Sequence, residues 1–325
     1  MENNKVVAFG EILLRFTPQN NKPIVEATGF DCFYGGTEAN VSIGLASLGD
    51  KVSYITVLPD NDLGIAVKNN LVKYGVDIDN IIFQGDVLGS YYLQTGIAGI
   101  SPSVLYNRKG SEVSKATVDT KFDYDSIFDN CKVFHISGVS FALSDNCREL
   151  CFKLIEEAKK RGILVSFDFN YRQKLWSIDE AASVFKKVIS LADIVLCAHR
   201  DIDAFLNEKT EEDIIKNNGC KYLIVRDRDD KDPKHHKVSA CIFMNTESGI
   251  KKSKIIEKDF DVTDRVGSGD AFAAGILHAF LKNPEDIDTM LGFGIATFIM
   301  KHTIAGDFLA VSEEKALDFY NNLNK

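Results

Sequence analysis

The stretch Asp264-Arg-Val-Gly267-Ser268-Gly269-Asp270-Ala-Phe-Ala-Ala-Gly275 lies near the carboxyl end of the 325-residue chain. It predicts a glycine-rich turn followed by a helix, because apolar residues recur at helical spacing after it. Gly267 and Gly269 allow the backbone to turn tightly and to direct successive N–H groups at one point. That point lies at the positive end of the helix dipole, so the turn predicts an anion-binding site.

Asp270 falls in the first turn of this predicted helix, where the dipole stabilises a carboxylate. A simple helix cap is one interpretation. The other is catalytic, because an anion site beside a carboxylate is what phosphoryl transfer to an alcohol requires. In that case the amides of Gly267, Ser268 and Gly269 stabilise the transferring phosphoryl group, and Asp270 accepts the alcohol proton.

Other nucleotide-binding motifs do not fit the sequence. The chain contains no G-x-x-x-x-G-K-[ST] loop. A dinucleotide fingerprint beginning at Gly267 would need glycine or alanine where Phe272 stands. Such a fingerprint also belongs to the first βαβ unit of a fold, whereas Gly267 lies near the carboxyl end of this chain. The pattern therefore favours phosphoryl transfer over dehydrogenase chemistry.

The rest of the chain alternates short β-branched runs with helical patterns. The predicted strands are residues 5–9, 52–57, 133–136, 163–167, 194–197 and 222–225. One of the predicted helices is capped by Ser144 or Asp145 and ends before Gly162. This alternation predicts an α/β fold with a mostly parallel sheet covered on both faces by helices. No linker divides the chain, so residues 1–325 are predicted to form a single domain.

Two stretches interrupt this alternation with strands that have no helix between them. Residues 12–16 and 29–34 are the first two of these predicted strands, and residues 90–97 and 103–107 are the second two. The turn residues of the second pair are Gly96, Gly99 and Pro102. Segments 11–35 and 89–109 therefore predict a small sheet that covers the carboxyl ends of the main strands as a lid. Its exposed edge and face predict a homodimer formed through the lid.

The charge and hydrophobicity of the chain argue against several classes of function. With 38 Lys and Arg against 47 Asp and Glu, the net charge is −9, which argues against nucleic-acid binding. No apolar run approaches the roughly 20 residues that span a bilayer, and the apolar stretch at the start is too short for a signal peptide. The seven cysteines are scattered singly, which favours a reducing cytoplasm.

The segment from Gly267 to Gly275 resembles the C-terminal signature of the ribokinase-like (PfkB-type) sugar kinases. Their N-terminal signature is similar to Tyr34-Gly35-Gly36-Thr37-Glu38-Ala39-Asn40-Val41. The resemblance runs from about Val7 to the last helix. It implies a ribokinase-like three-layer α/β/α sandwich with a small β-sheet lid, and an enzyme that uses ATP and Mg²⁺ to phosphorylate a sugar.

The family resemblance also implies roles for single residues. The glycine pair lets the sugar approach the backbone, which implies sugar binding by Gly35, Gly36 and Asn40. A strand-to-helix turn capped by Thr37 explains the same glycines without a ligand, and both interpretations can hold together. Nucleotide binding is expected of Asn170, Arg226, Gly267 and Gly269.

Three further features resemble one branch of the family, the 2-keto-3-deoxygluconate kinases. They are the stretch Leu105-Tyr106-Asn107-Arg108-Lys109-Gly110, the stretch Asp168-Phe-Asn170-Tyr171-Arg172-Gln-Lys-Leu-Trp176, and Glu11 at a position that is often Asp. The resemblance implies that Tyr92, Tyr106, Arg108 and Arg172 hold an open-chain sugar acid.

Guanidinium groups suit this task because they pair with a carboxylate through two charge-assisted hydrogen bonds. The alternatives are that Arg108 lies on an exposed turn and that Arg172 pairs with a structural carboxylate or with an ATP phosphate.

Two stretches depart from the family pattern. Ala198-His199-Arg200-Asp201 stands where many members carry Asn-x-x-Glu, which leaves the handling of Mg²⁺ open. Residues 226–236 replace a shorter glycine-containing turn, and their mixed charges predict an exposed polar loop that includes His235 and His236.

The expected activity is ATP-dependent phosphorylation of 2-keto-3-deoxygluconate to its 6-phosphate. A fructokinase or a kinase for 5-keto-2-deoxygluconate is the nearest alternative within the family. A catalytically silent sugar-binding or regulatory protein is an alternative of another class, motivated by Ala198 and the unusual 226–236 stretch.

Overall fold

A nine-stranded sheet forms the centre of the molecule in the computed structural model, which describes residues 4–94, 103–206, 208, 210–229, 232 and 235–323. The strands are β1 Lys5–Phe9, β2 Leu13–Pro18, β3 Phe30–Gly35, β4 Val52–Ile55, β5 Val57–Leu58, β6 Ile82–Phe83, β7 Ser90–Gln94, β8 Ser103–Asn107, β9 Cys131–Ser137, β10 Leu164–Asp168, β11 Ile194–Cys197, β12 Tyr222–Asp229, β13 His235–Thr246, β14 Gly249–Lys252 and β15 Ile256–Asp261.

The strand order in the large sheet is β14-β13-β12-β11-β10-β9-β1-β4, and β15 pairs with β13. From β4 to β12 all neighbours run parallel, whereas β13 pairs antiparallel with β12, β14 and β15. The parallel part explains why these strands are almost wholly apolar, since both of their faces are covered. The predicted mostly parallel α/β sheet is confirmed.

Helices cover both faces of this sheet. They are α1 Thr37–Ser47, α2 Asp62–Lys73, α3 Tyr124–Phe128, α4 Gly138–Phe141, α5 Asp145–Lys160, α6 Ile178–Ile189, α7 His199–Phe205, α8 Glu211–Asn218, α9 Ser268–Lys282, α10 Ile287–His302 and α11 Glu313–Leu323. One core cluster joins the sheet to α1, α9 and α10, a second joins it to α5, α6 and α8, and a third joins it to α1 and α2. Of the two predicted caps of α5, Ser144 is the one that forms, because its hydroxyl accepts a hydrogen bond from the amide of Cys147 at 3.0 Å.

The charged stretch after β12 differs from its prediction. Residues 226–229 continue β12 and pair with β13 up to Asp229 opposite Lys237, so the expected exposed loop is wrong at both ends. Extended backbone points His235 and His236 to opposite faces. His235 is exposed, whereas His236 is buried against Phe260. Residues 230, 231, 233 and 234 of this stretch lie outside the described residues.

The predicted small sheet is present, with the order β3-β2-β7-β8. Strand β2 pairs antiparallel with β3 and parallel with β7, and β7 pairs antiparallel with β8. The ammonium of Lys174 donates to the carbonyl of Val104, which joins β8 to the loop after β10. Residues 95–102, including Gly96, Gly99 and Pro102 of the predicted turn, lie outside the described residues.

Two further observations concern membrane contact and thiol chemistry. Among the described residues, no helix combines the length and the apolar character that a membrane crossing needs. All seven cysteines are free, and only Cys32 is exposed.

Candidate active site

The carboxyl ends of the parallel strands and the amino ends of α1 and α9 converge at one edge of the large sheet. Asn40 on α1 and Asn170 after β10 both contact Asp270 on α9 there, although up to 230 residues separate them in the chain. Parallel strands end at the same edge of a sheet, which is why the distant segments meet.

Asp270 is the centre of this group and is only 7% exposed. Its Oδ2 accepts a hydrogen bond from Asn40 Nδ2 at 2.6 Å, and its Oδ1 accepts one from Asn170 Nδ2 at 3.3 Å. Burial raises the pKa of Asp270, while the bond from Asn40 and the charge of Arg172 lower it. Gly267 occupies the N-cap position of α9, so the cap interpretation of Asp270 is wrong. The carboxylate faces the site instead.

The glycine-rich turn before Asp270 has the backbone that the sequence predicts. Gly267 has a φ of 76°, a left-handed backbone conformation that residues other than glycine rarely adopt. A Cβ at this residue would lie 1.9 Å from the backbone oxygen of Asp307. The turn leads directly into α9, whose first N–H groups have no acceptor within the helix. It therefore forms an anion-binding helix start beside a buried carboxylate.

Arg226 supplies positive charge next to this turn. Its Nη2 would lie 3.3 Å from a Cβ on Gly269, and its guanidinium stacks 4.8 Å from the ring centre of Phe298 and 5.2 Å from that of Phe272. Burial lowers the pKa of Arg226, and the charge of Asp168 opposes this. The arginine thus stands beside the anion turn.

Asp168 at the end of β10 is a residue to which the sequence analysis assigned no role. Its Oδ1 accepts a hydrogen bond from the amide of Asn170 at 3.0 Å. Burial and the charge of Asp270 together raise the pKa of Asp168 to about 7, although the guanidinium of Arg226 lowers it. Asp201, in the stretch that departs from the family pattern, accepts a hydrogen bond from the amide of Ala198 at 2.9 Å.

Gly35 and Gly36 are required by the packing of the protein itself. A Cβ on Gly36 would lie 2.0 Å from the backbone oxygen of Glu11, and one on Gly35 would lie 2.1 Å from Asp307 Oδ1. Gly36 occupies the N-cap of α1 and its amide donates to Asn40 Oδ1 at 3.3 Å. The expectation that Thr37 caps this helix is therefore wrong.

Glu38 follows this turn and is completely buried. Its Oε1 accepts three hydrogen bonds of 2.8 Å, from the amide and hydroxyl of Ser137 and from the hydroxyl of Ser140. Among the described residues its Oε2 has no donor, and it lies 2.2 Å from where a Cβ on Gly10 would be. Burial raises the pKa of Glu38 to about 7. This carboxyl group ties the start of α1 to the end of β9.

Glu38→Gln is expected to raise the free energy of unfolding at pH 8 by about 3 kcal/mol. The folded state holds the proton of Glu38 up to about pH 7, whereas the unfolded chain releases it near the ordinary value of 4.5. Stability is therefore lost as the pH rises through this window, and glutamine removes the loss. Urea unfolding at pH 4 and pH 8 measures the effect, with the exposed Glu285→Gln as control. A gain in the free energy of unfolding that is equal at pH 4 and pH 8 would contradict this account.

Arg108 lies within the protein and not on an exposed turn. It is 9% exposed, and its Nη2 pairs with Glu11 Oε2, while the hydroxyl of Ser111 donates to Glu11 Oε1. The guanidinium also lies 5.4 Å from the ring centre of Tyr106. A buried carboxylate thus balances the charge of Arg108 and fixes its orientation beside the small sheet.

Arg172, unlike Arg108, is neither buried nor paired with a carboxylate of the described residues. It is exposed, and its Nη1 donates to the carbonyl of Tyr171 at 3.1 Å. No carboxylate of the described part of the chain lies within ion-pair distance of it, so the alternative of a structural partner is excluded there. Its charge nevertheless lowers the pKa values of Asp270 and Asp168.

The structure does not bring Tyr92 to the face that carries Tyr106. In the strand register Tyr91 lies opposite Tyr106, with ring centres 6.0 Å apart, and Tyr92 lies opposite Leu105. The ring of Tyr92 stacks on Phe16 on the other face of the small sheet. Side chains alternate along a strand, so a shift of one residue reverses the face.

The fold and site define a phosphotransferase in which a buried carboxylate lies beside an anion-binding helix start. The chain belongs to the pfkB family of carbohydrate kinases, whose pattern matches residues 3–226. The chain is therefore a sugar kinase of a family that uses ATP and transfers a phosphoryl group to an alcohol.

Individual relatives span nearly the whole chain. The crystal structure of 2-dehydro-3-deoxygluconokinase from Thermotoga maritima is similar to it at 31% identity, with a TM-score of 0.91 and coverage of 98% of both chains. A 2-dehydro-3-deoxygalactonokinase from Haloferax volcanii is 28% identical, covering 96% of this chain and 95% of the relative. A 5-dehydro-2-deoxygluconokinase from Clostridium perfringens is 29% identical, covering 95% and 91% respectively.

Proposed function

We propose that the protein phosphorylates 2-keto-3-deoxygluconate to its 6-phosphate with ATP and Mg²⁺. The observation that carries the proposal is the exposed guanidinium of Arg172, two residues after Asn170, whose side chain donates a hydrogen bond to Asp270. A sugar acid needs such a partner for its carboxylate, whereas a neutral hexose does not. The similarity to a 2-dehydro-3-deoxygluconokinase and a 2-dehydro-3-deoxygalactonokinase supports the same class of substrate.

The sugar lies between the turn of Gly35 and Gly36 and the carboxylate of Asp270 in this proposal. Arg172 holds its carboxylate, and Arg108 and Tyr106 border it on the side of the small sheet. Arg108 is already paired with Glu11, so the two residues together offer a donor and an acceptor to sugar hydroxyls. Tyr92 has no place in this site because it faces away.

Asp270 acts as the general base and accepts the proton of the attacking hydroxyl. Asn40 and Asn170 hold its two oxygens in place, so its geometry is set before the substrate arrives. The amides of Gly267, Ser268 and Gly269 stabilise the transferring phosphoryl group, and Arg226 contributes positive charge to the same phosphates. Closure of the small sheet over the site would exclude water and limit ATP hydrolysis.

The acidic residues at this edge of the sheet fit a magnesium ion. The charges of Asp270 and Asp201 both raise the pKa of Asp168, and a cation relieves such repulsion. Mg²⁺ prefers carboxylate and phosphate oxygens, so Asp168 and Asp201 would hold it, in part through water. When bound, the ion neutralises charge on the phosphate oxygens of ATP.

An assay of ADP release across a panel of sugars tests the proposal. The panel contains 2-keto-3-deoxygluconate, its galactonate epimer, 5-keto-2-deoxygluconate and fructose. We expect the first of these to have the highest kcat/KM, and the phosphate to be found on oxygen 6 by NMR of the product. A highest value for fructose would contradict the proposal, and one for 5-keto-2-deoxygluconate would favour the activity named for the Clostridium perfringens relative.

We also propose that two chains associate through the outer face of the small sheet. Phe16, Phe30 and Tyr92 form an aromatic cluster on this face, with ring centres 5.3 to 6.3 Å apart, and Leu105 beside them is 53% exposed. An exposed apolar face of this kind is typical of subunit contacts. Light scattering should give the mass of a dimer, and Leu105→Asp should lower it. The mass of a single chain for the unaltered protein would contradict the proposal.

A further inference from the structure

Asp307 lies in the loop between α10 and α11, where the small sheet, the turn of Gly35 and the turn of Gly267 meet. It belongs to neither signature stretch, and it is 3% exposed. We propose that Asp307 is a positioning residue that couples sugar binding to nucleotide binding. The proposal rests on the sugar kinase activity and not on the identity of the sugar.

The carboxylate of Asp307 is bound to two strands of the small sheet. Arg15 Nη1 on β2 lies 2.8 Å from its Oδ2, and the hydroxyl of Tyr91 on β7 donates to its Oδ1 at 2.8 Å. Arg15 and Tyr91 are directly opposite each other in the strand register, so they move together. Any displacement of these strands therefore reaches the Asp307 side chain.

The same residue touches the backbone on both sides of the site. A Cβ on Gly35 would lie 2.1 Å from Asp307 Oδ1, and one on Gly267 would lie 1.9 Å from its backbone oxygen. Gly35 belongs to the sugar-side turn and Gly267 to the anion turn. Close-packed interiors transmit displacements because they have no free volume to absorb them. A sugar that shifts the first turn thus acts on the second through Asp307.

A second path joins the small sheet to the anion turn. Arg15 Nη2 donates to Asp264 Oδ2 at 3.0 Å, and Asp264 accepts hydrogen bonds of 3.0 Å from the amides of Val266 and Gly306. The completely buried Lys301, whose ammonium donates to the carbonyl of Ile304, lies close enough for both carboxylates to act on its pKa. The two carboxylates, Asp264 and Asp307, thus balance the charges of the two cations, Arg15 and Lys301, which keeps this buried network ordered.

Calorimetric titration with a non-hydrolysable ATP analogue tests the coupling. The dissociation constant is measured with and without the sugar of highest kcat/KM in the panel above. We expect that sugar tightens analogue binding about tenfold in the unaltered protein. Asp307→Asn keeps the shape of the side chain and loses its charge. In this variant the ratio of the dissociation constant without sugar to that with sugar should fall to about one. Each ligand alone should bind within about threefold of its normal affinity.

Two further variants separate coupling from simple stabilisation. Tyr91→Phe removes one of the two contacts to the small sheet and should give an intermediate ratio. Asp50→Asn removes a carboxylate that pairs with His278 elsewhere on α9, and its ratio should equal that of the unaltered protein. Equal weakening of both ligands in Asp307→Asn with the ratio preserved would overturn the proposal. A ratio of one in the unaltered protein would overturn it as well.

Discussion

Asp270→Asn is expected to lower kcat by about 10²- to 10⁴-fold while both substrates still bind. Asparagine keeps an oxygen for the hydrogen bond from Asn40, so the local geometry survives. It cannot accept the proton of the attacking hydroxyl, which is the loss that the variant isolates. Steady-state kinetics give kcat, and calorimetry gives the affinities for the sugar and for an ATP analogue.

Asp286→Asn is the matched control for this variant. Asp286 caps α10 by accepting a hydrogen bond from the amide of Thr289 at 3.1 Å, so it shows what the loss of a helix-start carboxylate alone does to activity. A drop in kcat no larger in Asp270→Asn than in Asp286→Asn would contradict the catalytic role. Turnover in the unaltered protein that depends on Asp270 also excludes a silent sugar-binding protein.

Arg172→Gln is expected to lower kcat/KM for the sugar acid by about 10²-fold, because a charge-assisted, two-point contact to the carboxylate is lost. A neutral sugar should change much less. The kinetics are measured at pH 8, since loss of Arg172 also removes a charge that lowers the pKa of Asp270. Arg172→Lys should recover part of the activity, because lysine keeps the charge but not the planar fork.

Arg161→Gln provides the control of equal charge. Arg161 lies just before β10 and pairs with Asp125 and Glu157 at 2.6 Å, at the opposite end of the strand from Arg172. Its loss should leave the preference between acid and neutral sugars unchanged. Similar losses for acid and neutral sugars in Arg172→Gln would mean that Arg172 serves the nucleotide or the fold.

Local periodicity was sufficient to predict the parallel core of this protein. The apolar strands and the glycine-rich turn before Asp270 carry strong local signals, whereas the site roles of Asn40 and Asn170 followed only from the resemblance to the sugar kinases. The structure confirms the α/β sheet and the separate small sheet.

Features that depend on long-range pairing were not predictable in the same way. Alternation assigns Tyr91 and Tyr92 to opposite faces, but only the register with β2 and β8 decides which one lies on the face of Tyr106. The partner of Arg108 is Glu11, nearly one hundred residues away, and no local pattern links them. Asp307 lies in a loop without a motif, and its importance comes entirely from what packs around it.

The charged stretch from Arg226 to Asp229 shows a different cause of error. Its mixed charges predicted a loop, yet an antiparallel partner extends β12 through it. Charged side chains are compatible with a strand near the edge of a sheet, where one face is open to water. Composition alone therefore underestimated the length of this strand.

The central claim is that the site selects the carboxylate of its sugar. Comparing kcat/KM for 2-keto-3-deoxygluconate with that for its C1 carboxamide tests the claim most directly, because the two molecules differ only at C1, where the amide has no charge and replaces one acceptor oxygen with an NH2 donor. We predict that the acid is preferred by about 10²-fold and that Arg172→Gln removes the preference. Equal kcat/KM values for acid and amide in the unaltered protein would contradict the account.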